Sequence, residues 1–175
     1  MPYFSPETNE KYLLQAAAEI CMAARTAPKG KGKDLLVTAV VSETEKKALI
    51  ERMLLISERD SLPFFARDAG NLERSPVVIL FGSRKDPLRL PHCGYCGFDD
   101  CDAMLQAGGT CSFNTGDLGI ALGSAASRAA DLRLDNRIMY SAGKAALELG
   151  LLGEDVQIAY ALPLSVTAKS PFFDR

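Results

Sequence analysis

The alternation of apolar and polar positions predicts helices and short strands in the first half of the chain. Residues 7–26 contain few helix breakers and are apolar nearly all round their centre, which predicts a largely buried helix. Residues 35–41, LLVTAVV, are β-branched and bounded by turn residues, so they predict a strand. The sequence SETE at 42–45 fits a capping box and predicts a helix that runs to about Glu58. In residues 59–75 polar residues interrupt the apolar pattern, which predicts a loop.

The second half predicts two more strands and two more helices around a cysteine-rich segment at 83–113. PVVILFG, at 76–82, is apolar throughout and predicts a central strand. Asp135 predicts the N-cap of a helix that ends at Gly150, and residues 156–164 predict a last strand. After the cysteine-rich segment, small residues recur at helical spacing and predict a tightly packed central helix, at Gly119, Gly123, Ala126 and Ala130. The fold class is therefore α+β, with one domain over 1–175 and a cysteine-rich insertion at 83–113.

Composition and charge exclude several classes of function. The 175 residues are 47% hydrophobic and 24% charged, as in a globular domain. The net charge of −2 argues against nucleic acid as the main partner, because phosphate binding needs a basic excess. No apolar run reaches the roughly 18–20 residues that span a bilayer, and the first residues lack the pattern of a signal peptide. We therefore expect a cytoplasmic protein with no membrane partner.

Four of the five cysteines are clustered, with the spacing C-x2-C-x4-C-x9-C. Because structural disulfides are rare in the cytosol, such a cluster more often binds metal or does redox chemistry. Four thiolates can close the shell of one zinc ion or one iron–sulfur cluster. The candidate metal ligands are Cys93, Cys96, Cys101 and Cys111.

The spacing favours a cluster over zinc but leaves zinc and free thiols open. Structural zinc sites usually use two compact ligand pairs, and here only Cys93 and Cys96 form one. Gly94 and Gly97 permit turns that aim backbone N–H groups at sulfur. The remaining Cys21 lies in an apolar helix and is interpreted as a small buried hydrophobe.

Neighbouring side chains have weaker interpretations. The only histidine, His92, is expected to lie beside the ligands or face solvent. Tyr95 and Phe98 would shield a cluster from water. Asp99 and Asp100 would lower a cluster's potential, or form a solvated turn.

The cysteine segment also resembles a known signature. CGYCGFDDCDAM, at 93–104, is similar to the CG-x-CG-x3-C-x2-hydrophobic pattern of 4Fe–4S domains in electron-transfer membrane complexes and corrinoid iron–sulfur proteins. The resemblance implies a 4Fe–4S cluster on these cysteines. The last ligand of that family lies further downstream than Cys111 does here.

A basic loop follows the first helix, ARTAPKGKGKD at 24–34, and it predicts either a solvated turn or an anion site. With the helix before it, this loop resembles the start of nitroreductase-fold flavoproteins. That resemblance implies a three-layer frame with a central, mainly antiparallel sheet, and an FMN phosphate held by Arg25 and Lys29. Thr26 would supply the hydroxyl, and Lys169 the C-terminal basic ligand.

The same resemblance implies a homodimer with flavin at its interface. In such a dimer the tail PFFDR would pack Phe172 and Phe173 on the partner protomer; the alternative is a tail that folds back on its own chain.

Nearly the whole chain resembles a family of uncharacterised ferredoxin-domain proteins of anaerobic bacteria and archaea. The shared motifs are ARTAPKGKG, CGYCGF, DNR-x-MY and K-x-P-F-F-D-R. We therefore expect a 4Fe–4S redox protein, oxidoreductase-like, that exchanges electrons with bound FMN and with a donor or acceptor protein or a small reducible substrate. The alternatives are a cluster-only electron carrier and a zinc-stabilised structural or binding protein.

Overall fold

A central antiparallel sheet separates two helical layers in the computed structural model, which describes residues 6–173. The α-helices are α1 (Pro6–Thr26), α2 (Glu43–Arg59), α3 (Pro63–Glu73), α4 (Cys101–Gln106), α5 (Ser112–Asp131) and α6 (Tyr140–Glu148). The strands are β1 (Leu36–Val40), β2 (Val77–Arg84), β3 (Asp135–Asn136) and β4 (Val156–Ser165). Their order across the sheet is β1-β2-β4-β3, and each neighbouring pair is antiparallel. This confirms the predicted α+β class and the three-layer frame around an antiparallel sheet.

The apolar strand β2 supplies both halves of the core, because successive side chains of a strand point to opposite faces. Val77, Ile79 and Phe81 pack with α1 and α5 on one face of the sheet. Val78 and Leu80 pack with α2, α3 and α6 on the other. Over residues 11–26 helix α1 is buried on one side only, since Tyr12 and Met22 are exposed, so the prediction of a largely buried helix is wrong. In the described part of the chain, no helix is long and apolar enough to cross a membrane.

The predicted capping box at the start of α2 is confirmed. Ser42 Oγ accepts a hydrogen bond from the Glu45 N–H at 3.3 Å, and the Ser42 N–H donates to Glu45 Oε2 at 2.8 Å. These two bonds satisfy donors that a helix N-terminus otherwise leaves free.

The predicted loop at 59–75 is wrong, because most of it forms α3. Pro63 occupies the first turn, where its missing N–H costs nothing. Phe65, Ala69 and Leu72, spaced by four and then three residues, are buried on one face of this helix. Asp68 interrupts the apolar pattern, but it is buried and its Oδ2 accepts a hydrogen bond from Ser141 Oγ at 2.6 Å.

Asp135 does not cap a helix. It lies in β3 and pairs with Ser165 of β4, and the following helix α6 begins five residues later at Tyr140. The predicted end of that helix is confirmed, because Gly150 adopts the left-handed conformation that stops a helix, with φ +67°.

The small residues of α5 do not all pack as predicted. Gly119 and Gly123 are exposed, and a Cβ added to either would meet nothing within 4 Å. Helix α5 instead packs against α1 through alanines that are fully buried, namely Ala121, Ala125 and Ala129. A close backbone approach does occur at Gly143 in α6, where a Cβ would collide with the Ala159 carbonyl of β4.

The tail folds back on its own chain. Phe172 is 3% exposed and belongs to the core between the sheet and α2, α3 and α6. Arg137 Nη1 donates to the Phe172 carbonyl at 2.8 Å, and its guanidinium lies 5.4 Å from the Phe173 ring centroid. The expectation that Phe172 packs on a partner protomer is therefore wrong. The last two residues of the PFFDR tail, Asp174 and Arg175, lie outside the described residues.

Candidate functional site

The cysteine segment leaves the sheet at the end of β2 and returns at the start of α5. Its backbone turns through left-handed conformations at Gly94 (φ +62°) and Gly97 (φ +83°), which suit glycine because it lacks a Cβ. The Gly97 N–H donates to the Gly94 carbonyl at 2.9 Å and closes a tight turn between the first two cysteines. His92 also adopts a positive φ, +55°.

Helix α4 gives the segment its one regular element. Asp100 Oδ1 accepts hydrogen bonds from the Asp102 and Ala103 N–H groups at 2.9 and 2.8 Å, so it acts as the N-cap. Asp102 forms an exposed ion pair with Arg89 at 2.8 Å. Asp100 therefore orients the backbone around Cys101, a role that neither sequence interpretation included.

The four predicted ligands line one cavity of about 350 Å³. Cys93, Cys96 and Cys101 are half-buried and Cys111 is buried, and none of the four forms a disulfide. His92, Phe98 and Met104 line the same cavity. Within the described residues, no three His, Cys, Asp or Glu side chains converge as a site for a metal ion. The fold thus brings the four cysteines to one cavity.

Tyr95 does not shield this cavity. It is 77% exposed and turns outward, where its ring stacks on Phe113 of α5 with 5.9 Å between centroids and 9° between planes. Phe98 is half-buried and lines the cysteine cavity as expected. Phe98 therefore borders the cysteine cavity, whereas Tyr95 packs on α5 outside it.

The basic residues of the loop after α1 are bonded within their own chain. Arg25 Nη1 forms an ion pair with Asp34 Oδ2 at 2.7 Å and donates to the Leu36 carbonyl at 2.7 Å. Lys29 Nζ donates to the carbonyls of Ala24, Arg25 and Ala27 at 2.7–3.2 Å, which satisfies the C-terminal end of α1. Thr26 Oγ1 donates to the Ala23 carbonyl at 3.3 Å.

The nearby cations affect the pKa of the Asp34 carboxyl group. Partial burial alone raises its pKa, but the hydrogen bonds from Arg25 and Leu36 and the charges of Arg25 and Lys29 outweigh it, so the pKa of Asp34 is lowered. Asp34 is therefore the counter-ion of Arg25 within the chain.

The basic loop and the cysteine segment meet at one apolar groove of about 440 Å³. The loop supplies one wall, while Tyr95 and one face of α5 supply the other. The lining residues are Pro28, Lys29, Gly30, Tyr95, Ser112, Phe113, Gly116, Asp117 and Ile120. Ser112 also lines the cysteine cavity, so the groove and the cavity adjoin. The fold thus places two stretches that are far apart in sequence beside each other.

Gly30 holds the basic loop against α5. Its N–H donates to Asp117 Oδ2 at 3.0 Å, and a Cβ at this position would collide with the Leu88 side chain and contact Phe113. Asp117 follows the polar residues Asn114 and Thr115, so nothing in the local sequence distinguishes it as a partner of the loop.

Lys169 lies elsewhere. It is exposed and lines a cavity of about 460 Å³ with Arg74, Thr167, Ser170 and Pro171. The groove beside Lys29 does not include it.

Two comparisons place the chain among known proteins. Residues 107–175 match the model of a family described as "uncharacterized protein containing a ferredoxin domain". An uncharacterized protein of Archaeoglobus fulgidus is 38% identical over 168 residues, which is 91% of this chain and 90% of that protein. The chain belongs to this ferredoxin-domain family. The matched residues of the family model include Cys111 and α5 but begin after Cys101.

Solved structures establish the fold of this family member. NfrA2 of B. megaterium superimposes with a TM-score of 0.54 and 14% identity, over 89% of this chain and 58% of that chain. An FMN-dependent nitroreductase of Clostridium difficile superimposes with a TM-score of 0.55 and 16% identity, over 89% and 76%. The ferredoxin-domain chain therefore has a nitroreductase-like fold, as expected, but it spans little more than half the length of NfrA2.

Proposed function

We propose that this protein is an iron–sulfur redox protein that exchanges electrons between a 4Fe–4S cluster and FMN. Cys93, Cys96, Cys101 and Cys111 would hold the cluster. The observation that carries the proposal is the groove shared by the basic loop and the cysteine segment, because it brings the two candidate sites into contact.

The donor set and the family support a cluster. Four cysteines around one cavity, none of them in a disulfide, are the kind of ligand set that iron–sulfur clusters use. A zinc ion bound by four thiolates lies only about 2.3 Å from each sulfur. It therefore occupies far less space than a cluster of several iron and sulfide atoms. Membership of a ferredoxin-domain family also favours iron and sulfide over zinc.

The groove supports a bound flavin. Its volume of about 440 Å³ lies in the range of small-molecule sites, roughly 300–1,000 Å³, and its walls are largely apolar and aromatic, as planar rings require. Lys29, which lines the groove, would provide positive charge for the FMN phosphate, with Arg25 and Thr26 close to it in the chain. The FMN-dependent nitroreductase of C. difficile shares the fold. Lys169 lines a different cavity and does not border this groove.

A cluster supplies one-electron transfer, and a flavin links one- and two-electron chemistry. The chain's own residues would position these groups and exclude water. Phe98 and Met104 border the cysteine cavity, while Tyr95 and Phe113 stack on each other and line the adjoining groove. The electron donor or acceptor would be another protein or a small reducible substrate.

A cluster-only electron carrier is the second candidate. It is favoured by the observation that Arg25 and Lys29 already have partners within the chain, so a phosphate must compete with Asp34 and with backbone carbonyls.

Anaerobic reconstitution with iron and sulfide tests the cluster. We expect a broad visible absorption band that dithionite bleaches, in the wild type and in a Cys21→Ser control, and its loss in Cys96→Ser. A full cluster in Cys111→Ser would mean that the fourth ligand is another residue. A colourless protein holding one zinc ion per chain after this treatment would overturn the redox proposal.

FMN titration separates the two redox candidates. Quenching of flavin fluorescence that saturates at one FMN per chain supports the proposed function. A chain that carries the cluster but leaves flavin fluorescence unchanged would be an electron carrier without flavin.

A further inference from the structure

Asn114 joins the two ends of the cysteine segment. It lies in the first turn of α5, three residues after Cys111, and is 3% exposed. Its Nδ2 donates to the carbonyls of Arg84 and Asp86, both at 3.1 Å. Those carbonyls lie where the chain leaves β2 and enters the cysteine segment. One side chain therefore ties the start of the segment to the helix that follows its last cysteine.

The carboxamide oxygen of Asn114 is buried and has no hydrogen-bond partner among the described residues. Burying an unpaired polar atom is unfavourable, so an apolar residue of similar size would avoid a cost that this asparagine bears. Its favourable contribution must come from the two bonds that its amide group donates.

We infer that Asn114 is a positioning residue that fixes Cys111 relative to Cys93, Cys96 and Cys101. As a statement about a cluster site, this rests on the proposed function. The three earlier cysteines belong to a turn and to α4, whereas Cys111 is the N-cap of α5. A site built from two such elements binds well only when their relative position is fixed beforehand.

A second bond holds the start of the segment on the other side. The Lys85 N–H donates to the Asp155 carbonyl at 2.8 Å, beside the start of β4. That bond attaches the start of the cysteine segment to the sheet, and the bonds of Asn114 attach the same stretch to α5. Loss of Asn114 should therefore loosen the segment against α5 without detaching it from the sheet.

The test compares Asn114→Leu with Asn71→Leu. Asn71 is also a buried asparagine, 3% exposed, but it lies in α3 and accepts its hydrogen bond from Arg74. Alkylation of each cysteine by iodoacetamide is followed by mass spectrometry in the metal-free, reduced protein. Cys21 in α1 is half-buried rather than buried as the sequence predicted, and it serves as the reference thiol outside the cysteine segment, because burial raises the pKa of its thiol and slows its reaction.

We expect Cys111 to react about tenfold faster in Asn114→Leu, as follows from losing about two hydrogen bonds, with Cys21 unchanged. In Asn71→Leu neither rate should rise selectively. Equal acceleration of Cys21 and Cys111 in Asn114→Leu, or a wild-type rate at Cys111, would show that Asn114 stabilises the fold generally or not at all, and the inference would be wrong.

Reconstituted protein gives a second readout. Asn114→Leu should bind less iron per chain or show a shifted reduction potential, while Asn71→Leu should match the wild type in both. Full iron content at an unchanged potential in Asn114→Leu would overturn the inference. A wild type that takes up no cluster would refute the proposed function instead, and the alkylation rates would still decide whether Asn114 positions Cys111.

Discussion

The ring of Tyr95 lies parallel to the ring of Phe113, with 5.9 Å between centroids and 9° between planes. Tyr95 comes from the turn between Cys93 and Cys96, and Phe113 from the first turn of α5. Since Tyr95 is 77% exposed, core burial does not hold it in place. The stacked pair joins the cysteine turn to the groove beside the basic loop.

Tyr95→Ala should weaken FMN binding by about twofold to tenfold, because an aromatic pair contributes roughly 0.5–1.5 kcal/mol beyond buried area. Tyr95→Phe should bind as the wild type does, since it keeps the ring. Tyr12→Ala removes an exposed tyrosine of α1 and is the control. Equal FMN affinity of Tyr95→Ala and Tyr12→Ala by fluorescence titration would place the flavin outside the groove.

Changes at Arg25 and Asp34 should move FMN affinity in opposite directions. Arg25→Ala removes a proposed phosphate ligand and should weaken binding about tenfold, the size of a charge-assisted hydrogen bond. Asp34→Asn removes the competing carboxylate and should strengthen binding. Arg128→Ala breaks an ion pair with Glu19 between α5 and α1 and serves as the control. A weaker FMN complex in Asp34→Asn would contradict direct contact between Arg25 and phosphate.

The ion pair of Arg25 and Asp34 should stabilise the fold only when Asp34 is ionised. The pKa of Asp34 is lowered in the folded chain, so its contribution is present above the unfolded pKa and is lost as the pH falls through the lowered folded value. The free-energy difference between wild type and Asp34→Asn should therefore shrink on acidification. It should also be small, because both side chains are over 40% exposed. Urea unfolding at neutral and strongly acidic pH measures it.

Gly143→Ala should lower the free energy of unfolding by about 1–3 kcal/mol, the usual cost of overpacking, because the new Cβ collides with the Ala159 carbonyl. Gly119→Ala is the matched control. It adds the same methyl group to an exposed helical site with open space around it and should stabilise the chain by about 0.5–1 kcal/mol. Urea denaturation measures both, and similar shifts in one direction would argue against the close contact of α6 and β4.

Phe172→Ala should lower the free energy of unfolding by about 3–5 kcal/mol, since this ring is buried in the core of its own chain. Phe173→Ala should cost much less, because Phe173 is 41% exposed. The loss in Phe172→Ala should not depend on protein concentration. A strong concentration dependence would mean that the ring contributes to subunit contacts instead.

The sequence predicted the frame because its signals are local. Ser42 and Glu45 form a capping box through residues three apart, and the short apolar run at 76–82 is typical of a central strand. Helix α3 was missed because Asp68 breaks its apolar face, and only the distant Ser141 explains how that carboxylate is accommodated. The strand at Asp135 was missed because its partner, Ser165, is thirty residues away in the chain.

In the candidate site, too, the features that depend on local sequence were predicted and those that depend on remote contacts were not. The spacing of the cysteines indicated their common cavity, since three of them lie within nine residues. Asn114, Asp117 and the outward turn of Tyr95 depend on contacts between segments remote in sequence, so no local pattern predicts them. The basic residues were identified, but Asp34 as the partner of Arg25 was not, because a loop must fold before an ion pair across it can form.

Among the described residues, neither apolar core contains any residue from the cysteine segment between β2 and α5. We therefore expect the packing of these two cores to be the same with and without a cluster in the cysteine cavity. If oxygen destroys a bound cluster, the polypeptide should stay folded and should be able to bind a new cluster. The lifetime of the inorganic centre and the lifetime of the protein would then be set by separate processes, and repair would not require new synthesis.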